Sequence, residues 1–162
     1  MTKEIKIALL IPTLNEIDGL KAIMPKIKRE WVDDIIFIDG HSTDGTIEYI
    51  KEHGYNLYLE KTPGMRKGIL EVVNKIDSDV IMTFSPDGNC IPELIPELVK
   101  KIREGYDMVI VSRYAKGAQS HDDTLITGFG NWVFTNLINI LHGGKYTDVM
   151  NIYRAYKKVL IK

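Results

Sequence analysis

The stretch FIDGHSTDGT, residues 37–46, is an apolar run that ends on an acid and continues into a loop of small and polar residues. Continuous apolar runs of four to eight residues are typical of strands that are covered on both faces. Asp39 stands at the tip of this predicted strand, where a turn alone rarely requires an acid. The polar residues after it are typical of a turn. The stretch therefore predicts a buried strand whose end carries a functional side chain.

Similar apolar runs alternate with segments of helical period along the rest of the chain. The strands are predicted at 5–11, 34–39, 56–59, 80–85 and 107–112. The helices are predicted at 16–29, 44–53, 66–76 and 94–103. This alternation predicts an α/β fold in which a mostly parallel, Rossmann-like sheet is flanked by helices. The 162 residues fit a single domain that buries about 70% of the surface of its unfolded chain.

Composition narrows the possible partners and the location. The 21 basic residues nearly balance the 22 acidic ones, so the basic surface of a general nucleic-acid binder is missing. The single cysteine, Cys90, cannot form an internal disulfide, and the first residues lack the layout of a signal peptide. We therefore expect a reducing, cytoplasmic location and no nucleic-acid partner.

Residues 124–144 are the most apolar segment of the chain. Glycines, asparagines and threonines interrupt the segment, and it lacks the run of roughly 18 apolar residues that a membrane span needs. We predict a mostly buried amphipathic helix here, and a helix that lies on a membrane surface is the alternative.

Polar residues gather just after the predicted strands, where an open α/β sheet binds its ligand. The segments are PTLNE at 12–16, DGHSTDGT at 39–46, SPDGN at 85–89 and SRY at 112–114. Each segment taken alone fits a turn or a helix cap. The first one is neither a dinucleotide fingerprint nor a P-loop. Carboxylates with a few basic groups suit a metal-chelated phosphate, so this edge predicts a site for a nucleotide that carries a leaving group.

The sequence at this edge resembles a known family. IPTLNE, IDGHSTDGT, SPDGN, SRYAKG and TDVMNIYRAY, in this order, are similar to segments of the family 2 nucleotide-sugar glycosyltransferases, which have the GT-A fold. The resemblance is strongest to the polyprenyl-phosphate sugar transferases typified by dolichol-phosphate mannose synthase. It implies transfer of a sugar, with inversion, from a nucleoside diphosphate to a polyprenyl phosphate or a hydroxyl. It also implies peripheral contact with the cytoplasmic face of a membrane.

The resemblance also implies which residues bind the donor and its metal. By this resemblance, Asp39 would accept hydrogen bonds from the base or the ribose of the donor. Ser85 stands at the first acid of the family's D-x-D motif and Asp87 at the second, so Asp87 and Asn89 would bind Mg²⁺ or Mn²⁺ together with the donor's pyrophosphate. The full donor-binding set is Pro12, Asn15, Glu16, Asp39, Ser42, Asp44, Arg66, Lys67, Ser85 and Asp87.

Three further residues are implied in catalysis. Arg113 would hold a phosphate oxygen. Asp148, near the sugar or the acceptor, is the first candidate for a general base if the acceptor is a hydroxyl, and Asp122 is the second. Asp122 lies in SHDD, which replaces an arginine-bearing loop of the family. Arg154 would brace the segment that carries Asp148.

Other functions remain open on the sequence alone. A sugar-nucleotide pyrophosphorylase would need a Gly-rich, Arg-bearing loop after the first strand, which residues 12–19 are not. A non-catalytic nucleotide-sugar-binding module would bind the nucleotide without turnover, and an α/β interaction domain would not bind it. The sequence stops at KKVLIK, where similar family members continue, so we expect a glycosyltransferase domain with a complete donor half and an incomplete acceptor half.

Overall fold

The computed structural model describes residues 5–115 and 125–161. Within these residues the chain forms six strands and five α-helices. The strands are β1 (Ile7–Thr13), β2 (Asp34–Asp39), β3 (Asn56–Leu59), β4 (Val80–Thr83), β5 (Met108–Ile110) and β6 (Arg154–Lys157). The helices are α1 (Ile17–Ile23), α2 (Thr46–Glu52), α3 (Met65–Val73), α4 (Ile95–Arg103) and α5 (Leu125–His142).

The strands form one sheet in the order β3-β2-β1-β4-β6-β5. β1 is parallel to β2 and β4, and β2 is parallel to β3. β6 is antiparallel to both of its neighbours, β4 and β5. Five strands therefore point in one direction, and the predicted, mostly parallel α/β sheet is confirmed.

Apolar side chains cover both faces of the sheet. Along β1, Leu9 points to the larger core, which also holds Leu20 of α1 and Leu98 of α4. Its neighbour Leu10 points to the smaller core on the opposite face, with Val72 of α3. Successive side chains of a strand point to opposite faces, so a sheet with a core on each side requires the continuous apolar runs seen in the sequence.

Four predicted elements end at least two residues earlier than expected: the helices at 16–29 and 66–76 and the strands at 80–85 and 107–112. The helix predicted at 16–29 ends at Ile23 and passes into a short 3-10 turn, Met24–Lys26. Pro25 explains the stop, because proline inside a helix removes a hydrogen bond and clashes with the preceding turn. The strand predicted at 80–85 ends at Thr83, just before the loop that contains Pro86.

β6 was not predicted as a strand. Its four residues, Arg154–Lys157, begin and end with a basic side chain and contain no apolar run, and only Ala155 is fully buried. The pairing with β4 and β5 fixes its place in the sheet, and neither partner is close to it in sequence.

Helix α5 is exposed on its apolar side, so the prediction of a mostly buried helix is wrong. Among the side chains of α5 whose burial the structure describes, polar Asn131 and Thr135 are the buried ones. Six large apolar side chains are each more than half exposed, and we call them the apolar face of α5: Ile126, Phe129, Trp132, Phe134, Ile140 and Leu141. In the part of the chain that the structure describes, no helix has the length and apolar character needed to cross a membrane.

Candidate active site

The sheet brings the predicted segments to one edge. β1, β2, β4 and β5 all end there, because they point in the same direction. β6 runs the other way, with Arg154 paired to Thr83 and to Ile110, so the segment before β6 reaches the same edge. The strand ends and residues 147–153 therefore form a common rim.

Asp39 is buried at this rim and holds the loop that follows it. The residue is 0% exposed. Its Oδ2 accepts hydrogen bonds from Thr13 Oγ1 at 2.8 Å and from Ser42 Oγ at 2.7 Å, and its Oδ1 accepts one from the Ser42 backbone N–H at 2.7 Å. These three hydrogen bonds supply donors to both oxygens of the buried side chain. Asp39 thus joins the end of β1 to the β2–α2 loop.

Further hydrogen bonds join the loops after β1 and β2. Asn15 has a positive φ of 57°; its backbone N–H donates to Ser42 Oγ at 2.8 Å, and its Oδ1 accepts from Thr43 N–H at 2.9 Å. The backbone N–H of Glu16 donates to Thr46 Oγ1 at 2.9 Å. Asn15 and Ser42, both predicted to bind the donor, are therefore engaged in shaping the two loops.

Asp44 belongs to the same connection. Its two oxygens accept from the backbone N–H groups of Thr46 and Ile17 at 3.0 and 3.1 Å. Desolvation acts in the opposite direction, but these hydrogen bonds prevail and hold the pKa of Asp44 below its ordinary value. Asp44 therefore stays charged beside the start of α1, where a negative charge also suits the helix dipole.

Glu16, Asp87 and Asp44 share a negatively charged part of the rim. Burial raises the pKa of Glu16, and repulsion from the charges of Asp87 and Asp44 raises it further. The three acids are thus close enough to interact. A cation at this place would relieve the repulsion.

The loop after β4 is set against α1 by a close contact. A side-chain carbon at Gly19 would lie 2.2 Å from the carbonyl oxygen of Pro86. Only glycine permits this approach, which brings the SPDGN loop beside Glu16. The sequence analysis did not identify Gly19, because the residue pattern of α1 does not show which loop packs against this helix.

The metal-binding prediction concerns this loop. Asp87 and Asn89 are exposed, and the Asn89 backbone N–H donates to Asp87 Oδ1 at 3.0 Å. Ser85 is half-buried at the same loop. Among the described residues, no three acids, histidines or cysteines converge to hold a metal by themselves. Exposed Asp87 and Asn89 can still fit a hard cation that takes its other oxygen ligands from a bound diphosphate.

Glu60 is a buried acid at the rim that the sequence analysis missed. It follows β3 directly, its backbone N–H donates to Asp39 O at 2.9 Å, and its Oε2 accepts from Gly64 N–H at 3.1 Å. Nε2 of His41, another residue with positive φ, lies 2.8 Å from the Glu60 carbonyl oxygen. The signal was available, since Glu60 is an acid at a strand end, as Asp39 is.

The remaining predicted donor residues are at or near this edge. Pro12 is half-buried near the end of β1. Arg66 and Lys67 are exposed in the first turn of α3.

Arg113 and Asp148 form a forked ion pair at the other end of the rim. Arg113 Nε and its backbone N–H donate to Asp148 Oδ2 at 2.8 and 3.1 Å, and Arg113 Nη2 donates to Oδ1 at 3.1 Å. The Asp148 side chain is 0% exposed, whereas that of Arg113 is 32% exposed. A general base must reach the proton that it removes, so this geometry gives no support to Asp148 in that role. Asp122, the second candidate, lies outside the described residues.

Arg154 braces the segment of Asp148, as predicted. Its Nε donates to Asn151 O at 2.8 Å and its Nη2 to Val149 O at 3.1 Å, with a second bond from Nη2 to Asn151 O. On the other side of the segment, Thr135 Oγ1 and Asn131 Oδ1 accept from the backbone N–H groups of Val149 and Met150, each at 3.3 Å. The chain around Asp148 is thus held from β6 and from α5.

Comparison with known proteins supplies relatives for this chain. It is 26% identical to the glycosyltransferase AglJ of Haloferax volcanii over 94% of this chain and 50% of that protein. It is also 26% identical to a dolichyl-phosphate hexose transferase of the same organism, over 96% and 68%. A third relative, at 26% identity over 96% and 50%, is the undecaprenyl-phosphate 4-deoxy-4-formamido-L-arabinose transferase of Klebsiella pneumoniae. The chain therefore spans about half the length of several of the curated relatives it matches.

A solved structure shares the fold. Glucosyl-3-phosphoglycerate synthase of Mycobacterium tuberculosis, crystallised with Mn²⁺, UDP and glucosyl-3-phosphoglycerate, superposes with a TM-score of 0.74 at 20% identity, over 96% of this chain and 58% of that one. This likeness confirms the predicted GT-A fold. The family model described as glycosyl transferase family 2 matches residues 8–162. With the sheet, the rim and this match in agreement, the chain belongs to glycosyl transferase family 2.

Proposed function

We propose that the chain transfers a sugar from a nucleoside diphosphate to the phosphate of a polyprenyl phosphate. Membership of glycosyl transferase family 2 supports the reaction class. Relatives named for dolichyl phosphate and undecaprenyl phosphate support the acceptor. The fold neighbour crystallised with UDP and Mn²⁺ supports a nucleotide donor with a divalent cation. The observation that carries the choice of acceptor is the ion pair between Asp148 and Arg113.

That ion pair favours an anionic acceptor over a hydroxyl. A hydroxyl must lose its proton to a base during attack, whereas a phosphate is already anionic at neutral pH. Asp148 is buried and both of its oxygens accept hydrogen bonds from Arg113, so it is poorly placed to take a proton. In this proposal Asp148 orients the guanidinium of Arg113, which interacts with phosphate oxygens at the rim.

The donor lies at the acidic part of the rim. Asp87 and Asn89 would hold a divalent cation, Mg²⁺ or Mn²⁺, together with oxygens of the donor diphosphate. When bound, the cation neutralises charge on the departing diphosphate. Glu16 and Asp44 add negative charge beside Asp87, which strengthens the attraction for the cation.

The other predicted donor residues divide into two groups in this proposal. Pro12, Arg66, Lys67 and Ser85 contact the nucleotide or its phosphates. Asp39, Asn15, Ser42 and Asp44 shape the loops after β1 and β2, since their polar atoms bond to one another and to the backbone.

A lipid acceptor requires contact with a membrane surface, and the apolar face of α5 provides it in this proposal. Contiguous exposed apolar surface of this kind marks an interaction site. The segment 124–147 contains no acid, and it carries Lys145 near the end of α5, which suits an anionic bilayer. Aromatic Phe129, Trp132 and Phe134 are side chains that favour the lipid–water interface.

A transfer assay tests the function. The purified chain is incubated with Mn²⁺ and, in turn, UDP-, GDP- and CDP-sugars, with polyprenyl phosphate in vesicles or with soluble hydroxyl acceptors. With vesicles, where the membrane would complete the acceptor half that the chain is expected to lack, we expect turnover to a polyprenyl-phosphate sugar of inverted configuration, and loss of turnover in Asp87→Ala. Turnover with hydroxyl acceptors alone would overturn the choice of acceptor. Nucleotide binding without turnover would instead identify a binding module, in keeping with Ser85 at the first acid position.

A further inference from the structure

Helix α5 carries polar contacts on its buried side, the reverse of an ordinary surface helix. Asn131 and Thr135 are one turn apart and buried, and Thr135 Oγ1 lies 3.5 Å from Asn131 Oδ1. Apolar side chains of the same helix face outward. Apolar groups of the same shape can replace a buried hydrogen-bonded pair at little cost in stability, so the hydrogen-bond partners of this pair give the better account of its presence.

Those partners lie in the segment that positions the ion pair. Thr135 accepts from the N–H of Val149 and Asn131 from the N–H of Met150. The Met150 N–H also lies 3.2 Å from Asp148 Oδ1, the atom that accepts from Arg113 Nη2. A continuous series of hydrogen bonds therefore runs from the buried side of α5 through residues 148–150 to Arg113.

We propose that Asn131 and Thr135 are positioning residues that couple lipid binding by the apolar face of α5 to the placement of Arg113. The lipid part of this inference rests on the proposed function. When lipid binds the apolar face and restricts the motion of α5, it also restricts the motion of Asn131 and Thr135 on the buried side of the helix. The amides of residues 149 and 150 then open less often, and Asp148 holds the guanidinium in one orientation. The apolar face thus promotes transfer without touching the substrate.

Amide hydrogen exchange at Val149 and Met150 tests the coupling without any need for catalysis. The protein is compared with and without vesicles of phosphatidylglycerol and phosphatidylcholine. We expect vesicles to slow exchange at these two amides by about two- to tenfold, the worth of one hydrogen bond. Thr135→Val, which keeps the shape but not the hydroxyl, should abolish the slowing at Val149 while the protein still floats with vesicles. Thr135→Ser should retain it.

Asn131 provides a second, independent pair of variants. Asn131→Asp keeps an acceptor for Met150, and Asn131→Leu removes it. If Asn131→Leu does not fold, the Thr135 pair still decides the outcome. Equal slowing at Val149 in wild type and Thr135→Val would overturn the coupling, as would the absence of any vesicle effect in the wild type.

Kinetics separate a positioning role from a merely structural one. In vesicles, Thr135→Val should lower kcat for transfer about two- to tenfold while the affinity for the nucleoside diphosphate is unchanged, and Thr135→Ser should restore kcat. A fall in nucleotide affinity together with kcat would point to general unfolding and contradict the inference. If no variant and no wild type transfers a sugar, the proposed function fails, and the exchange experiment still decides whether the coupling exists.

Discussion

The buried carboxylate of Asp39 accepts three hydrogen bonds from Thr13 and Ser42, so removing this side chain should reduce stability. Asp39→Ala leaves the Ser42 N–H and the Thr13 hydroxyl without their buried acceptor. We expect the free energy of unfolding to fall by about 2–3 kcal/mol and nucleotide binding to weaken because the loop at 40–46 loses its anchor. Urea denaturation and calorimetric titration measure the two effects. Lost binding at unchanged stability would instead show direct contact between Asp39 and the nucleotide.

Glu16 gives a prediction with a defined pH dependence. Its pKa is raised in the folded protein, so ionisation of Glu16 costs stability at every pH above its ordinary pKa. Glu16→Gln removes that cost. We expect the variant to be more stable than wild type in urea at pH 7 and to bind the metal–nucleotide pair less well. The gain should vanish at acidic pH, where Glu16 is protonated in both folded and unfolded chains.

The control for this prediction is Glu52→Gln, a change of the same kind at an exposed position of α2. Since Glu52 lies away from the acidic part of the rim, the control should leave nucleotide binding unchanged. A stability gain in Glu16→Gln that persisted at acidic pH would contradict the electrostatic explanation.

At the scale of elements, the fit between α1 and the β4 loop depends on one glycine. Gly19→Ala would drive a methyl group against the Pro86 carbonyl. We expect a loss of about 1–3 kcal/mol and weaker metal-dependent nucleotide binding, because the loop with Asp87 must move. Gly130→Ala in α5 is the matched control, since the added carbon there meets open space. The control should be neutral or slightly stabilising in thermal unfolding.

The apolar face of α5 predicts a second effect at this scale. Trp132, which is 62% exposed, can be changed to glutamate without opening a core. We expect Trp132→Glu to reduce flotation with anionic vesicles severalfold, because it places a charge in the lipid-facing surface, and to leave the melting temperature nearly unchanged. Tyr106→Glu makes a similar change at an exposed site outside α5. Equal losses in both variants would show a nonspecific charge effect.

These elements also show which parts of the fold could be predicted from the sequence. Most of the predicted strands follow largely continuous apolar runs, which are typical of a sheet covered on both faces. β6 follows no such run, and its place depends on pairing with β4 and β5 far away in the chain. For α5, composition predicts burial, but the direction of its apolar side is decided by polar contacts to residues 149 and 150. Contacts between distant segments leave no periodic trace.

In the candidate site, the position of the residues was also predictable, whereas their contacts with one another were not. The rim was predictable, because parallel strands end on one side and the acids follow the strand ends. The pairing within the rim was not. Asn15 with Ser42, and Arg113 with Asp148, are joined across 27 and 35 residues. Such partners share no local pattern, so residues predicted to face a ligand are found to hold one another.

For the molecule as a whole, metal binding should depend on the nucleotide. The described residues offer no complete metal site, so Mn²⁺ should bind measurably only when a nucleoside diphosphate supplies further oxygen ligands. Asp87→Ala should remove the metal dependence of nucleotide binding without unfolding the protein, and Ser85→Asp should strengthen it. Titration calorimetry with each ligand alone and with both together measures this. Tight Mn²⁺ binding by the protein alone would contradict the assignment.

The position of β6 has a consequence for synthesis and quality control. β6 is the sixth strand in chain order, yet it lies inside the sheet, between β4 and β5. On the ribosome, β4 and β5 therefore present unpaired edges until residues 154–157 have emerged, and such edges invite association with other chains. A premature stop before Arg154 would therefore remove an interior strand of the sheet, not an edge strand. The truncated chain would lose the strand that joins β5 to the sheet, and it would lose the hydrogen bonds from Arg154 to residues 149 and 151. We expect such a product to be inactive and readily degraded by proteases.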